Sequence, residues 1–245
     1  MAGDRWLTFD CYGTIADWNA CMRQALESFA GDHASVLLST YHQAELIFEA
    51  GPWRPYRDVL TDGLELAARR AGVSLPGPEA GALVAAWPKM TVFDDAGPAL
   101  TTLVEAGWRL AILTNCDDDL FATTATRLPV PFDVVVTAEQ VRSYKPDLGH
   151  FRRFAELTGA TQDNWIHVAN SWVHDILPAA RMGVRSIWVD RDLTGHPAKL
   201  AERRIAVMRR SASLAGCPVR SRSTQMERTP IRAAGRMSCT QLFAT

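Results

Sequence analysis

Asp10 ends the apolar run Trp6-Leu7-Thr8-Phe9 and is followed by Cys11-Tyr12-Gly13-Thr14, so a carboxylate is displayed at a glycine turn with mostly small or polar residues beyond it. A carboxylate held this way can attack as a nucleophile. The plainer alternative is a turn-forming or capping aspartate, since Asp and Gly are ordinary turn residues. Three later apolar runs also end in polar or titratable groups. Gly107 to Leu113 runs into Thr114-Asn115, and Phe132 to Thr137 leads to a loop carrying Lys145-Pro146-Asp147. Trp165 to Val168 runs into Ala169-Asn170-Ser171 and then Asp175.

The elements that must position these groups alternate. Ala96 to Ala106 places Leu100, Leu103 and Val104 at helical spacing, and Leu148 to Thr158 does the same with Phe151, Phe154, Ala155 and Leu157. Strand and helix in alternation predict an α/β fold with a parallel sheet covered on both faces. In such sheets ligands bind at the carboxyl ends of the strands, where Asp10, Thr114 and Asn170 fall. Residues 16–88 instead carry helical stretches at Trp18 to Phe29, Ser35 to Ala50, Tyr56 to Ala71 and Pro78 to Ala86. An all-helical insertion directly after the first strand reads as a cap, with hinges near Ile15 to Trp18 and Pro88 to Phe93. Trp18, Trp53, Tyr56 and Trp87 could wall a small pocket or simply fill the cap core.

The ordered motifs Asp10 to Thr14, Leu113-Thr114-Asn115, Ser143 to Asp147 and Val168 to Asp175 resemble the haloacid dehalogenase superfamily over about residues 5–195. Within it, they resemble the (S)-2-haloacid dehalogenases. The resemblance implies a Rossmann-like core in 1–15 and 89–204, an inserted helical cap in 16–88, and a homodimer as one assembly. It implies hydrolysis of short (S)-2-haloacids through an ester on Asp10. Lys145 would act as a fixed cation, and Asp175 would orient or deprotonate water with Asn170 or Ser171 holding it. Thr14 and Thr114 would hydrogen-bond the Asp10 or substrate carboxylate, and Asn115 would donate to the leaving halide. The chain departs from the pattern at Tyr12, where phosphatases of the superfamily carry a second aspartate to protonate an alkoxide. Halide needs no proton, so Tyr12 favours dehalogenation. Asn170 replaces an acid that magnesium-dependent members use, and no metal or cofactor is expected. His42 falls at the position of the family's halide-binding arginine, leaving Arg54 or Arg57 as substitutes. Phe151 replaces a family tyrosine, but its spacing with Phe154 suits a core helix. A magnesium-dependent phosphatase and a catalytically idle binding scaffold are the alternatives.

His42 lies in the helical stretch Ser39 to Glu49 and reads as a half-exposed helix histidine or as an acid–base group. Asp175 reads alternatively as an N-cap for the segment toward Met182. Three lysines against many arginines make Lys145 stand out. Hydrophobic residues make up 47% of the chain, enough for a full core and a small second domain. A net charge of −1 gives no steering field for nucleic acid. Cys11, Cys21, Cys116, Cys217 and Cys239 are widely spaced, which suits free thiols in a reducing compartment. No secretory signal or membrane-length apolar run is seen, so the chain reads as cytoplasmic with a small-molecule substrate. Residues 205–245 form an atypical basic tail without helical or strand periodicity; the family would place one further strand near its start.

Overall fold

The computed structural model describes residues 4–75 and 77–191. Five parallel strands form one sheet in the order β3-β2-β1-β4-β5, with β1 Trp6–Phe9 at its centre. β2 is Arg109–Thr114, β3 Val134–Thr137, β4 Trp165–Ala169 and β5 Arg185–Trp188. The helices are α1 Trp18–Ala30, α2 Ala34–Glu49, α3 Tyr56–Ala71, α4 Ala82–Ala86, α5 Ala96–Glu105, α6 Asp118–Ala125, α7 Ala138–Val141, α8 Gly149–Thr158 and α9 Leu177–Arg181. The fold is thus the α/β sheet with helical insertion expected from the alternation of elements. β5 was not anticipated at this position: it is a four-residue strand with exposed Arg185 and Ser186, too short and too polar to show a period. It precedes the place where a last strand was expected. Cys217, Cys239 and the rest of the 205–245 tail lie outside the described residues.

The two-residue period of the strands separates two cores. Leu7 and Phe9 face one side with Leu110, Ile112 and Val168, under Leu100 and Leu103 of α5. Trp6, Ala111, Leu113 and Trp165 face the other, with Phe151 and Phe154 of α8. There Phe154 meets Trp165 at 4.7 Å and Trp6 edge-on at 5.3 Å. Phe151 is fully buried, as its spacing predicts. Val104 and Leu157, read from spacing as core residues, are exposed instead. The buried stripes run through Ala96, Ala99, Leu100 and Leu103 on α5 and through His150, Phe151 and Phe154 on α8, so both residues fall beside the contact.

Helices α1 to α4 form the insertion. α2 and α3 pack closely enough that a Cβ on Gly63 would lie 3.0 Å from the Tyr41 ring, which explains a glycine in mid-helix despite its cost of about 1 kcal/mol. The two connections to the core run side by side: Asp17 N–H donates to Thr91 O and Phe93 N–H to Ile15 O. α3 has Pro55 before it and no side-chain cap of its own. Asp117, just beyond β2, accepts instead from the backbone N–H groups of Tyr56 at 2.7 Å and Arg57 at 3.0 Å. A core carboxylate therefore caps an insertion helix, satisfying donors that would otherwise be orphaned.

Candidate active site

Asp10 stands at the carboxyl end of the central strand, its backbone N–H bonded to Val168 O. Gly13, at φ +86°, makes the following turn in a conformation that a side chain would strain. The turn brings Thr14 back so that its hydroxyl donates to Asp10 Oδ2 at 2.7 Å while accepting from the Asn170 backbone N–H at 2.9 Å. Arg191, missed in the sequence because it lies far from any motif, donates from its guanidinium to Thr14 O and pairs with Asp95. The loop holding the nucleophile candidate is thus fixed from both neighbouring segments.

Lys145 is buried between two acids. Its Nζ donates to Asp10 Oδ1 at 2.9 Å, to Asp175 Oδ1 at 2.6 Å and to Leu113 O at 2.9 Å. Burial opposes its charge, but the Asp10 and Asp175 carboxylates hold the ammonium above its ordinary range. The two carboxyls respond in opposite directions. Burial raises Asp10, with the Lys145 charge pulling against it. Burial would raise Asp175 too, but Lys145 and a hydrogen bond from His167 bring it down to about 2. The ammonium occupies the space between the Oδ1 atoms of the two carboxylates, and no group of three or more His, Cys, Asp or Glu that could hold a metal ion is found among the described residues.

Behind Asp175 lies a buried relay that motif reading did not find. Trp165 Nε1–H donates to Thr8 Oγ1 at 2.7 Å, and Thr8 lies 2.8 Å from His167 Nδ1. His167 Nε2 is 3.0 Å from Asp175 Oδ1. The Asp175 carboxylate can only accept, so the His167 Nε2–H points to it, and in the neutral imidazole Nδ1 is then left to accept the Thr8 hydroxyl proton. Thr8 and His167 are register partners on adjacent strands, and a polar pair inside two otherwise apolar strands was the available signal. Asp175 does not cap a helix; Ser171 takes that place, accepting from His174 N–H at 3.2 Å. Asp175 lines the cavity, and its Oδ2 is buried without a hydrogen-bond partner among the described residues.

That cavity, about 290 Å³, opens over Asp10. Thr114, Asn115, Asn170, Ser171, Tyr12 and His42 line it with Lys145 and Asp175, so most of the residues singled out from the sequence converge here. Thr14 lies just behind it, bonded to Asp10. Tyr12 turns its hydroxyl away, to Thr124 Oγ1 at 3.0 Å, and packs its ring on Trp87. Of the four aromatic residues considered as walls, Trp18 and Tyr56 line the cavity, while Trp87 is buried beneath Tyr12. Trp53 lies under the Arg142 guanidinium instead.

Two expectations need correction. Arg54 does not reach the cavity: it pairs with Asp62 and lies over the Phe48 ring. Arg57 likewise pairs with Asp117 and Asp119. Both guanidiniums find carboxylates closer at hand. Asn115 lines the cavity, but its Nδ2 donates to Glu49 Oε1 and to Lys145 O, both at 3.0 Å. Both hydrogens of the amide are therefore engaged, so a halide can reach that donor only by replacing one acceptor. His42 contacts Asn19 Oδ1 at 3.1 Å and lies 3.6 Å from Glu45 Oε2. Glu45 and Glu49, which were not singled out, complete one helix face with His42. Burial raises the Glu49 carboxyl, with His174 at 3.3 Å pulling it back.

A family model described as haloacid dehalogenase-like hydrolase matches residues 82–189. The (S)-2-haloacid dehalogenase 4A of Burkholderia cepacia is 29% identical over 196 residues, covering 77% of this chain and 83% of that protein. The (S)-2-haloacid dehalogenase of Pseudomonas fluorescens is 25% identical over 192 residues, covering 75% and 83%. Among solved structures, the L-2-haloacid dehalogenase of Xanthobacter autotrophicus superposes with a TM-score of 0.69 at 20% identity, covering 83% of this chain and 88% of that one. Among the described residues no helix is long and apolar enough to cross a membrane.

Proposed function

We propose that this chain, a haloacid dehalogenase-like hydrolase by its family-model match and its fold, cleaves the carbon–halogen bond of short (S)-2-haloacids without a metal. The observation that carries this reading is the Asp10–Lys145–Asp175 set at the floor of a small cavity, with Tyr12 where a proton donor for an alkoxide would stand. One Asp10 carboxylate oxygen attacks C2 of the substrate, the carbon–halogen bond breaks, and halide leaves with its electron pair and with inversion at C2. Lys145 and Thr14 fix the carboxylate for this attack, one on each oxygen. Water then attacks the aspartyl carbonyl carbon and gives up a proton to Asp175. The tetrahedral intermediate collapses, the ester bond breaks, the departing alkoxide of the 2-hydroxy acid takes the intermediate's hydroxyl proton, and Asp10 regains its carboxylate while Asp175 releases the water proton to solvent. The unpartnered Oδ2 of Asp175 supports that role, and Asn170 and Ser171 line the same cavity as Asp175.

The relatives named above support the reading at the level of reaction class, and the cavity agrees with a substrate of a few carbon atoms. The test is chloride release from racemic 2-chloropropionate in the presence of EDTA, comparing the parent with Asp10→Asn. The expected result is chloride from the parent alone, stopping at half of the racemate. Chloride from Asp10→Asn, or none from the parent, would overturn the reading and direct attention to phosphate esters.

A further inference from the structure

Glu49 holds the donor that a departing anion would need. Its carboxylate descends from the C-terminal turn of α2 and takes one N–H of Asn115 at 3.0 Å, while the other N–H of that amide serves Lys145 O. Glu45, one turn earlier, borders the same cavity and accepts from the Tyr56 hydroxyl at 2.6 Å. Among the described residues the cavity wall includes one lysine and no arginine, and Lys145 is already shared by Asp10 and Asp175. The two imidazoles, His42 and His174, are themselves set against Glu45 and Glu49. An incoming 2-haloacid carries a carboxylate, and its product is a halide ion. Both meet a buried like charge on the cap side, in a setting where such charges interact strongly.

We infer that Glu49 is a specificity-determining residue, a cap carboxylate seated on Asn115 that weakens the binding of anionic substrate and halide, each of which must displace it. The inference rests on the haloacid reading of the site. Its consequence is a high KM for simple 2-haloacids and weak product inhibition by halide, relative to a site with a free Asn115 amide. An uncharged analogue of the same shape, such as 2-chloropropionamide, does not experience the like charge.

The test is Glu49→Gln, which removes the charge but keeps an acceptor for Asn115. KM for (S)-2-chloropropionate is expected to fall by about tenfold or more, as removal of a nearby like charge predicts. The amide, read as substrate or as competitive inhibitor, is expected to change by less than about twofold, because the perturbation is one of charge. A merely structural effect on the cap would move acid and amide together, and that outcome, or an unchanged or raised KM for the acid, overturns the inference. Glu49→Ala serves as the second variant if the glutamine form does not fold, with the same expected direction. If neither parent nor variant releases halide, the haloacid reading itself has failed. Bromide titrations followed by the fluorescence of cavity-lining Trp18, Trp172 and Trp188 then decide the inference separately. Tighter bromide binding by the variant supports it, and equal or weaker binding refutes it.

Discussion

Lys145→Met removes the ammonium while keeping most of the stem volume, leaving Asp10 and Asp175 facing each other in a buried site. At contacts of 2.9 and 2.6 Å, each attraction is about 6 kcal/mol at an effective dielectric near 20. Desolvation of all three groups offsets much of that gain, so the measured loss is set by the unpaired charge left behind, about 3–5 kcal/mol. The direction with pH follows from the same picture. Without Lys145 one carboxyl takes up a proton more readily than in the parent, so the deficit is largest at pH 7.5 and shrinks at pH 5.5. Urea unfolding followed by circular dichroism at both pH values measures it. Adding Asp175→Asn to Lys145→Met is expected to recover about 2 kcal/mol, because the second substitution removes the repelling charge. A single variant within about 1 kcal/mol of the parent at pH 7.5 would refute the charge argument, because an uncompensated buried charge costs more than that. A further loss on adding Asp175→Asn would refute it equally.

Three more outcomes follow from named contacts. His150 is buried, its Nε2–H donates to Thr114 O, and burial followed by the Lys145 charge pushes its pKa down to about 3. Its folded value lies below its unfolded one, so stability falls as pH drops from about 6.5 toward 3, with about 2 kcal/mol lost between pH 7 and 5 from this group. His150→Gln keeps the donor without the titration, and a loss over that range equal to the parent's would show that His150 is not the source. Thr8→Val leaves the Trp165 N–H and His167 Nδ1 buried without partners, and chemical denaturation should show a loss of about 2–4 kcal/mol. A loss under about 0.5 kcal/mol would dissolve the relay as a stabilising feature. Asp117→Ala uncaps α3 from the core side and is expected to cost about 1–2 kcal/mol in thermal or urea unfolding. An unchanged midpoint would mean that water replaces Asp117 at no loss.

Legibility in the sequence followed distance along the chain and periodicity. Phe9-Asp10 and Leu113-Thr114-Asn115 were readable because a strand end and its polar residue are contiguous. Three helical stretches of the insertion were readable because each carries a sustained apolar face, whereas the fourth, expected over Pro78 to Ala86, is a 3-10 segment at Gly77–Gly81 followed by the five-residue α4. Lys145 was readable only through its motif, since nothing in Tyr144-Lys145-Pro146 says that its ammonium ends between two acids 135 and 30 residues away. His167 and Thr8 were hidden because their meaning is a lateral register between strands 159 residues apart. Glu45 and Glu49 were hidden for a different reason. Polar residues on an amphipathic helix normally face solvent, and only the seating of α2 over the sheet turns that face inward. Arg54 and Arg57 misled in the converse way, being close to the site in sequence and satisfied elsewhere by Asp62, Asp117 and Asp119.

The different surroundings of Asp10 and Asp175 suit them to different parts of the proposed two-step reaction. Two carboxyls of one residue type share one ammonium, yet burial raises the first while Lys145 and His167 lower the second. In the resting site the two carboxylates and one ammonium leave a single excess negative charge, and a raised Asp10 is the better nucleophile of the two. Esterification consumes the Asp10 charge. Lys145 is then left with Asp175 as its only full counter-charge, and its remaining hydrogen falls on the former carboxylate oxygen at Oδ1. With Oδ1 as the carbonyl oxygen of the ester, the ammonium is already placed to stabilise the oxyanion that water attack creates. Attack through Oδ2, the oxygen held by Thr14, meets this condition, whereas attack through Oδ1 puts the ester oxygen against Lys145 and leaves only the Thr14 hydroxyl on the oxyanion. Thr14→Val should therefore slow formation of the ester more than its hydrolysis, and Lys145→Met should slow hydrolysis more. Single-turnover runs that quench the reaction and weigh the Asp10 peptide separate the two steps. Accumulated ester in Thr14→Val, with none in Lys145→Met, would reverse the assignment of the two oxygens.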